Sequence, residues 1–141
     1  MRAIKFRAWD GFEMIYFFCL SATGVIFLLT DPLGFKRTTP TRVFQTDSNY
    51  ILMQYTGLKD SKGVEIYEGD IVEYYRKTYS NIGEVVYSNN HASYQISTTN
   101  KYMVPIRIGF SGLYGENDEI LVKIIGNLYE NPELLPKPGK E

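Results

Sequence analysis

Four carboxylates stand within residues 65–73 of this chain, and carboxylates at such density are the groups that bind hard cations or exchange protons. They belong to the segment LMQYTGLKDSKGVEIYEGDIVEY and are Glu65, Glu68, Asp70 and Glu73. A calcium or magnesium ion requires several oxygens that converge on one point. Glu68 and Asp70 flank a turn glycine, and the spacing brings neither toward the other two. The sequence therefore favours turn-capping and solvated carboxylates, and we expect neither a metal site nor a cofactor.

The chain contains one histidine and one cysteine, His91 and Cys19. A zinc site with its usual set of Cys and His ligands is therefore excluded. Cys19 lies in the apolar run MIYFFCL, where no neighbour would lower the pKa of its thiol, so we expect a buried, inert side chain. His91 follows two asparagines, a pattern typical of an exposed hairpin tip. Since no nucleophile elbow, P-loop or dinucleotide fingerprint occurs either, we expect no catalytic residues and no enzyme activity.

Residues 74–79, YYRKTY, interleave aromatic and basic side chains. Single-strand nucleic-acid binders use this combination for stacking and for phosphate contacts. The predicted contact residues are Tyr74, Arg76, Lys77 and Tyr79. The same alternation is also typical of an exposed edge strand, where lysine discourages aggregation, so both interpretations stay open. The formal net charge of −1 gives no bulk attraction to nucleic acid or to anionic membranes, and binding would depend on this local patch.

The segment 13–20 is apolar at nearly every position, which predicts a strand covered on both faces. A second copy of the chain could provide that cover. The predicted self-association residues are Ile15, Phe17 and Phe18. Twelve Tyr and eight Phe in 141 residues support the interpretation, because aromatic side chains are enriched in interface cores.

The elements that would position these groups are strands. In AIKFRAW, residues 3–9, apolar and polar side chains alternate with period 2, and the following Asp10-Gly11 pair is typical of a tight turn, so the chain is predicted to open with a β-hairpin. Glycine and aspartate mark the later turns by the same reasoning. The predicted structural turn residues are Gly11, Gly57, Asp60, Gly63, Gly69 and Asp70.

About eight short strands with small connections follow from this pattern. They predict an all-β (β-rich) protein, a small closed or partly open barrel with an SH3-like core, preceded by the N-terminal β-hairpin. In NPELL, Asn131 and Pro132 predict a short C-terminal helical turn. We expect a single β-rich domain over residues 1–135, with the hairpin and a third strand in 1–30, the barrel core in 50–128 and a disordered tail in 136–141.

A cytoplasmic location is the expectation from the N-terminal region. The basic residues Arg2, Lys5 and Arg7 precede an apolar run as in a signal peptide, but Asp10 and Glu13 lie between them and that run, and no clean cleavage site follows. The apolar segment 14–29 is shorter than the ~20 residues of a membrane-spanning helix, so we expect no membrane partner.

Three segments, IKFRAWD, LMQYTGLKDSKGVEIYEGDIVEY and VKIIGNLYENPELL, resemble the YopX family of bacteriophage and prophage proteins in sequence, order and separation. The resemblance implies a phage-borne protein of the bacterial host cell with a β-barrel-like core, and it brings no catalytic residues. We therefore expect a non-enzymatic accessory protein, a protein-interaction or self-assembly module whose partner is a second copy or a phage or host protein. The alternative is a nucleic-acid-binding small barrel, and the third interpretation is an uncharacterised enzyme.

Overall fold

The computed structural model describes residues 3–16, 18–20, 26–28, 42–43, 50–76, 79–98, 103–105 and 121–136. These residues form twelve strands and one 3₁₀ turn, so the predicted all-β class is confirmed. The chain divides into two compact units, a smaller one of Phe6–Leu52 and a larger one of Met1–Lys5 with Met53–Glu141. The single domain over residues 1–135 stays a prediction.

The smaller unit contains the N-terminal hairpin and a short three-stranded sheet. Its strands are β1 (Phe6–Trp9), β2 (Met14–Ile15), β3 (Phe18–Leu20), β4 (Ile26–Leu28) and β5 (Arg42–Val43). The β1 and β2 strands are antiparallel, with Ala8 opposite Ile15, and β4 pairs with both β3 and β5. The sequence predicted one strand over residues 13–20 where the structure has β2 and β3, because strands of two or three residues leave no periodic signal.

The larger unit is built on an antiparallel meander. Its strands are β6 (Ile51–Lys59), β7 (Glu65–Tyr67), β8 (Asp70–Arg76), β9 (Tyr79–Ser88), β10 (Ser93–Thr98), β11 (Met103–Pro105) and β12 (Leu121–Asn127). The strands β8 to β11 pair in chain order, and β12 returns to the open side of β8, which gives the order β11-β10-β9-β8-β12. A 3₁₀ turn, Pro132–Leu134, follows, where the sequence predicted a helical turn.

The core of the larger unit lies on one face of this sheet. Strand register places Val85 opposite Ile96, and Tyr74 opposite Val122, on that face. The buried cluster consists of Ile66, Val72, Tyr74, Val85, Ile96 and Val122. Burial of such side chains is worth about 1.5–3 kcal/mol each relative to exposure, so this cluster is the main source of stability for the unit.

Asp60 joins the β6–β7 turn to strand β12. Its Oδ1 accepts hydrogen bonds from the backbone N–H groups of Lys62 and Val64, both at 2.9 Å. Its Oδ2 accepts from the N–H of Ile124 at 3.2 Å, and the next residue, Ser61, donates its N–H to the carbonyl of Val122 at 2.9 Å. Gly63 completes the turn with φ +82°. One buried aspartate therefore holds both a local turn and a contact between distant segments.

The bend between β7 and β8 depends on Gly69 and Asp70. Gly69 has φ +78°, donates its N–H to the carbonyl of Val85 and accepts from the N–H of Leu128. Asp70 is buried, and its Oδ2 accepts from the N–H of Tyr67 at 2.8 Å. This bend thus connects three segments of the larger unit.

Two details differ from the sequence interpretation. Gly57, predicted as a turn residue, instead lies inside β6 with φ +88°, where the pairing with β7 shifts register. Glycine allows such a bulge without ending the strand. Asn131 makes no side-chain cap to the 3₁₀ turn; its Oδ1 instead accepts from the N–H of Asn127 at 3.3 Å.

Candidate functional site

The tip of the N-terminal hairpin, residues 10–13, is a rigid turn that presents an aromatic ring. Asp10 Oδ1 accepts hydrogen bonds from the backbone N–H groups of Phe12 at 2.7 Å and Glu13 at 2.8 Å. These two N–H groups, that of Glu13 first, lower the pKa of Asp10. Gly11 adopts φ +103°, which a glycine reaches without strain. The ring of Phe12 is held on this turn with 92% of its surface exposed.

Phe12 is not among the self-association residues predicted from the sequence, which are Ile15, Phe17 and Phe18. Ile15 lies half-buried in β2, opposite Ala8. Phe17 lies outside the described residues, and Phe18 lies in β3, where only the backbone is described. A usable signal was present, because turn positions after Asp-Gly are normally polar and this one carries a phenylalanine.

The predicted basic and aromatic contact residues do not form one exposed row. Tyr74 belongs to the core and is 7% exposed, so its ring presents no face for a base to stack on. Arg76 pairs with Tyr79 where β8 meets β9, and Lys77 lies outside the described residues. The exposed tyrosine on this strand is Tyr75, at 40%, and a nucleic-acid contact here would have to use it.

A family model described as YopX protein matches residues 5–136. The chain belongs to the YopX family. No curated protein matches it.

Two solved structures resemble this YopX-family chain over nearly its whole length. The crystal structure of protein yopX from Bacillus subtilis is 25% identical, with a TM-score of 0.61, and the match covers 96% of this chain and 100% of that one. The crystal structure of protein EF1440 from Enterococcus faecalis is 26% identical, with a TM-score of 0.56 and the same coverage. The family resemblance found in the sequence is thereby confirmed.

The acidic segment of this YopX-family chain is divided among separate structural tasks. Glu65 forms an ion pair with Lys5 and accepts a hydrogen bond from the Tyr67 hydroxyl at 3.2 Å. Glu68 accepts from the N–H of Gln54 at 2.7 Å, and Glu73 bonds to the hydroxyl of Tyr75. Within the described residues no three His, Cys, Asp or Glu side chains gather as metal ligands would.

His91 lies on the exposed β9–β10 turn, where its Nδ1 is 3.0 Å from Ser88 Oγ. Its backbone N–H donates to the Ser88 carbonyl at 3.3 Å. Both contacts join the two ends of one turn, so the proximity of Ser88 and His91 is explained by the structure of the turn.

In the described part of the chain, no helix is long and apolar enough to cross a membrane.

Proposed function

We propose that this YopX-family protein is a non-enzymatic accessory protein of a phage or prophage, which acts in the bacterial cytoplasm as a protein-interaction or self-assembly module. The observation that supports the proposal is Phe12, whose exposed ring is fixed on an Asp10-capped turn. Solvent exposure of a large ring is unfavourable, and a rigid aromatic side chain loses little conformational entropy when it inserts into a partner. Aromatic side chains of this kind dominate many interfaces.

The neighbouring groups favour the same role. Tyr16, just after β2, is also exposed, and Glu13 adds a negative charge beside Phe12. An aromatic centre with a charged rim is the usual composition of a protein interface. For the larger unit we infer an SH3-like small barrel, supported by the short, bent strands β7 and β8 and the meander that follows them.

Replacement of Phe12 by serine is expected to weaken self-association or partner binding by about tenfold or more, because the aromatic anchor is lost. Phe12 contributes only its backbone N–H to the hydrogen bonds of the Asp10 turn, and serine keeps that N–H. The fold should therefore persist. Sedimentation velocity over a range of protein concentrations measures self-association, and affinity capture from prophage-induced cells measures partner binding.

Tyr87→Ser is the matched control, because Tyr87 is an exposed aromatic residue on the larger unit. We expect this variant to associate as the wild type does. A monomeric wild type that captures no partner would overturn the proposed function. Equal binding by the Phe12 variant and the wild type would show that the hairpin tip is not part of the interface.

The second candidate function is nucleic-acid binding, which Tyr75 favours. This ring is exposed at the end of β8, next to Arg76 and Lys77 in the sequence. Its hydroxyl donates a hydrogen bond to the carboxylate of Glu73, which raises the pKa of Tyr75. A neutral exposed ring beside two basic residues matches the pattern used to stack single-stranded bases.

The double substitution of Arg76 and Lys77 by alanine tests this candidate. If these residues contact phosphates, gel shifts with single-stranded DNA or RNA should become weaker, and the slope of log affinity against log salt should fall by about one to two. The double substitution of Lys59 and Lys62 by alanine removes the same charge from another exposed turn and serves as the control. The absence of any shift at low salt would reject nucleic-acid binding.

A further inference from the structure

The face of the meander opposite the core carries two neighbouring polar side chains, Glu84 on β9 and Gln95 on β10. Register places Glu84 opposite Ser97, while Gln95 lies opposite Val86. Residues directly opposite each other, and residues two positions apart on one strand, lie on the same face of a sheet. Glu84 and Gln95 are therefore diagonal neighbours on one face. Diagonal pairs with long side chains are within reach of each other.

Two acceptor groups, the Gln95 amide oxygen and the Glu84 carboxyl, have no hydrogen-bond donor in the described part of the chain. Gln95 is 4% exposed, and its Oε1 accepts no hydrogen bond there. A buried amide oxygen without a donor costs about 1–3 kcal/mol. Glu84 is half-buried, and no hydrogen bond or ion pair reaches it from any described residue. An unpaired acceptor therefore lies next to a carboxyl group whose charge nothing in that region balances.

Among the described residues of β8, β10 and β12, the charged groups on the same face do not compensate Glu84. On β8, Ile71 lies directly opposite Glu84, and the nearest titratable group is Glu73, two positions along. Lys123 on β12 is opposite Glu73 and one strand further from β9. On β10 the described residues facing Glu84 are Gln95 and Ser97, both uncharged. Burial raises the pKa of Glu84.

We propose that Glu84 holds a proton in the folded protein and donates it as a hydrogen bond to the amide oxygen of Gln95, which makes the β9–β10 hairpin a proton-dependent latch. The carboxylic acid supplies the one donor that the Gln95 oxygen lacks. Loss of the proton leaves a half-buried negative charge beside an unpaired oxygen, so the hairpin is less stable in that form.

The direction of the pH dependence follows from linkage. The ordinary pKa of a glutamate is 4.5, and that of folded Glu84 is higher. Below pH 4.5 the carboxyl is protonated in the folded and unfolded states alike, and the full contribution of the Glu84–Gln95 hydrogen bond to the unfolding free energy is present. As pH rises above 4.5 the unfolded chain loses its proton first, so the contribution is lost progressively until pH passes the pKa of the folded state.

An NMR titration of the Glu84 carboxyl in the wild type and in Gln95→Met tests the latch. The wild-type group should titrate above 4.5, and removal of the acceptor should increase its acid dissociation constant by about fivefold. Ser97→Ala, which changes the residue directly opposite Glu84, should leave the titration where it is. A wild-type pKa at or below 4.5, or an unchanged or higher pKa in Gln95→Met, would overturn the proposal.

Thermal unfolding of Glu84→Gln gives a second test that does not require the Gln95 variant to fold. Glutamine has the shape of the protonated acid, can donate to Gln95 and cannot ionise. The Tm of the Glu84→Gln variant should exceed that of the wild type at pH 7, and the difference should shrink toward pH 4.5. A difference that is constant with pH, or a lower Tm for the variant at pH 7, would contradict the latch.

Discussion

The Asp60→Ala variant is expected to lose about 3 kcal/mol of unfolding free energy. Three backbone N–H groups, those of Lys62, Val64 and Ile124, donate to this carboxylate, which is 7% exposed. Hydrogen bonds to a charged group contribute about 1.5–3 kcal/mol each, and their loss leaves buried donors without an acceptor. Urea unfolding followed by circular dichroism measures the change.

Asp10→Ala is the matched control, because Asp10 also accepts two backbone N–H bonds in a turn but does so at the surface. Water replaces the lost acceptor there, and we expect a cost of about 1 kcal/mol or less. Equal losses in the two variants would show that the contact between Asp60 and Ile124 adds nothing to stability.

The same aspartate should make the larger unit sensitive to acid. Burial acts to raise the pKa of Asp60, but the N–H groups of Val64, Ile124 and Lys62 outweigh it and hold the pKa below the ordinary 3.8. The stabilisation is complete above 3.8 and is lost as pH falls through the lower pKa of the folded state. The difference in unfolding free energy between wild type and Asp60→Ala should therefore shrink below pH 3.8.

The Gly83→Ala variant is expected to lose about 3 kcal/mol for a different reason, steric overlap in the sheet. A Cβ at this position would lie 2.5 Å from Ile96 Cγ2 and 2.7 Å from the carbonyl oxygen of Ser97. The carbonyl belongs to the β10 backbone and cannot move without distortion of the β9–β10 pairing, and overpacking of this kind costs about 1–3 kcal/mol or more. Thermal and urea unfolding measure the effect.

Gly63→Ala separates this overlap from the general effect of removing a glycine. Gly63 has φ +82°, but a Cβ there meets nothing within 4 Å. The strain of a left-handed backbone should cost about 1–2 kcal/mol. If Gly83→Ala were no more destabilising than Gly63→Ala, the close approach of β9 and β10 would not limit the residue type at position 83.

Local sequence was sufficient to predict the turn over residues 60–63 but not its distant contacts, and it wrongly placed a turn at Gly57, which lies inside β6. An aspartate first and a glycine last over residues 60–63 predict the turn that Asp60 and Gly63 form, because both effects act within four residues. The bond from Ile124 to Asp60 joins positions 64 apart, and no local pattern contains it. The requirement for glycine at position 83 is equally invisible to local sequence, because the β10 backbone that excludes a side chain there is placed by strand pairing.

The candidate site was predicted only in part, for the same physical reason. The alternation in residues 74–79 favoured a strand but left open which face is buried. In the structure β8 ends at Arg76, its Tyr74 belongs to the core and its Tyr75 is exposed. The apolar character of segment 13–20 predicted an interface near Ile15, whereas the solvent exposure of the side chains points to Phe12 at the turn. Burial is a property of the assembled sheets, so a period-2 pattern alone cannot assign it.

The position of β12 in the strand order has a consequence for synthesis on the ribosome. Strands β8 to β11 can pair as they emerge, each with the strand made just before it, but β8 receives its second neighbour only when residues 121–127 have been translated. Until then the nascent chain carries the buried faces of Val72 and Tyr74 beside an open strand edge. An open edge beside apolar surface favours aggregation, and we expect that hazard to end when β12 docks and the Asp60 contact to Ile124 forms.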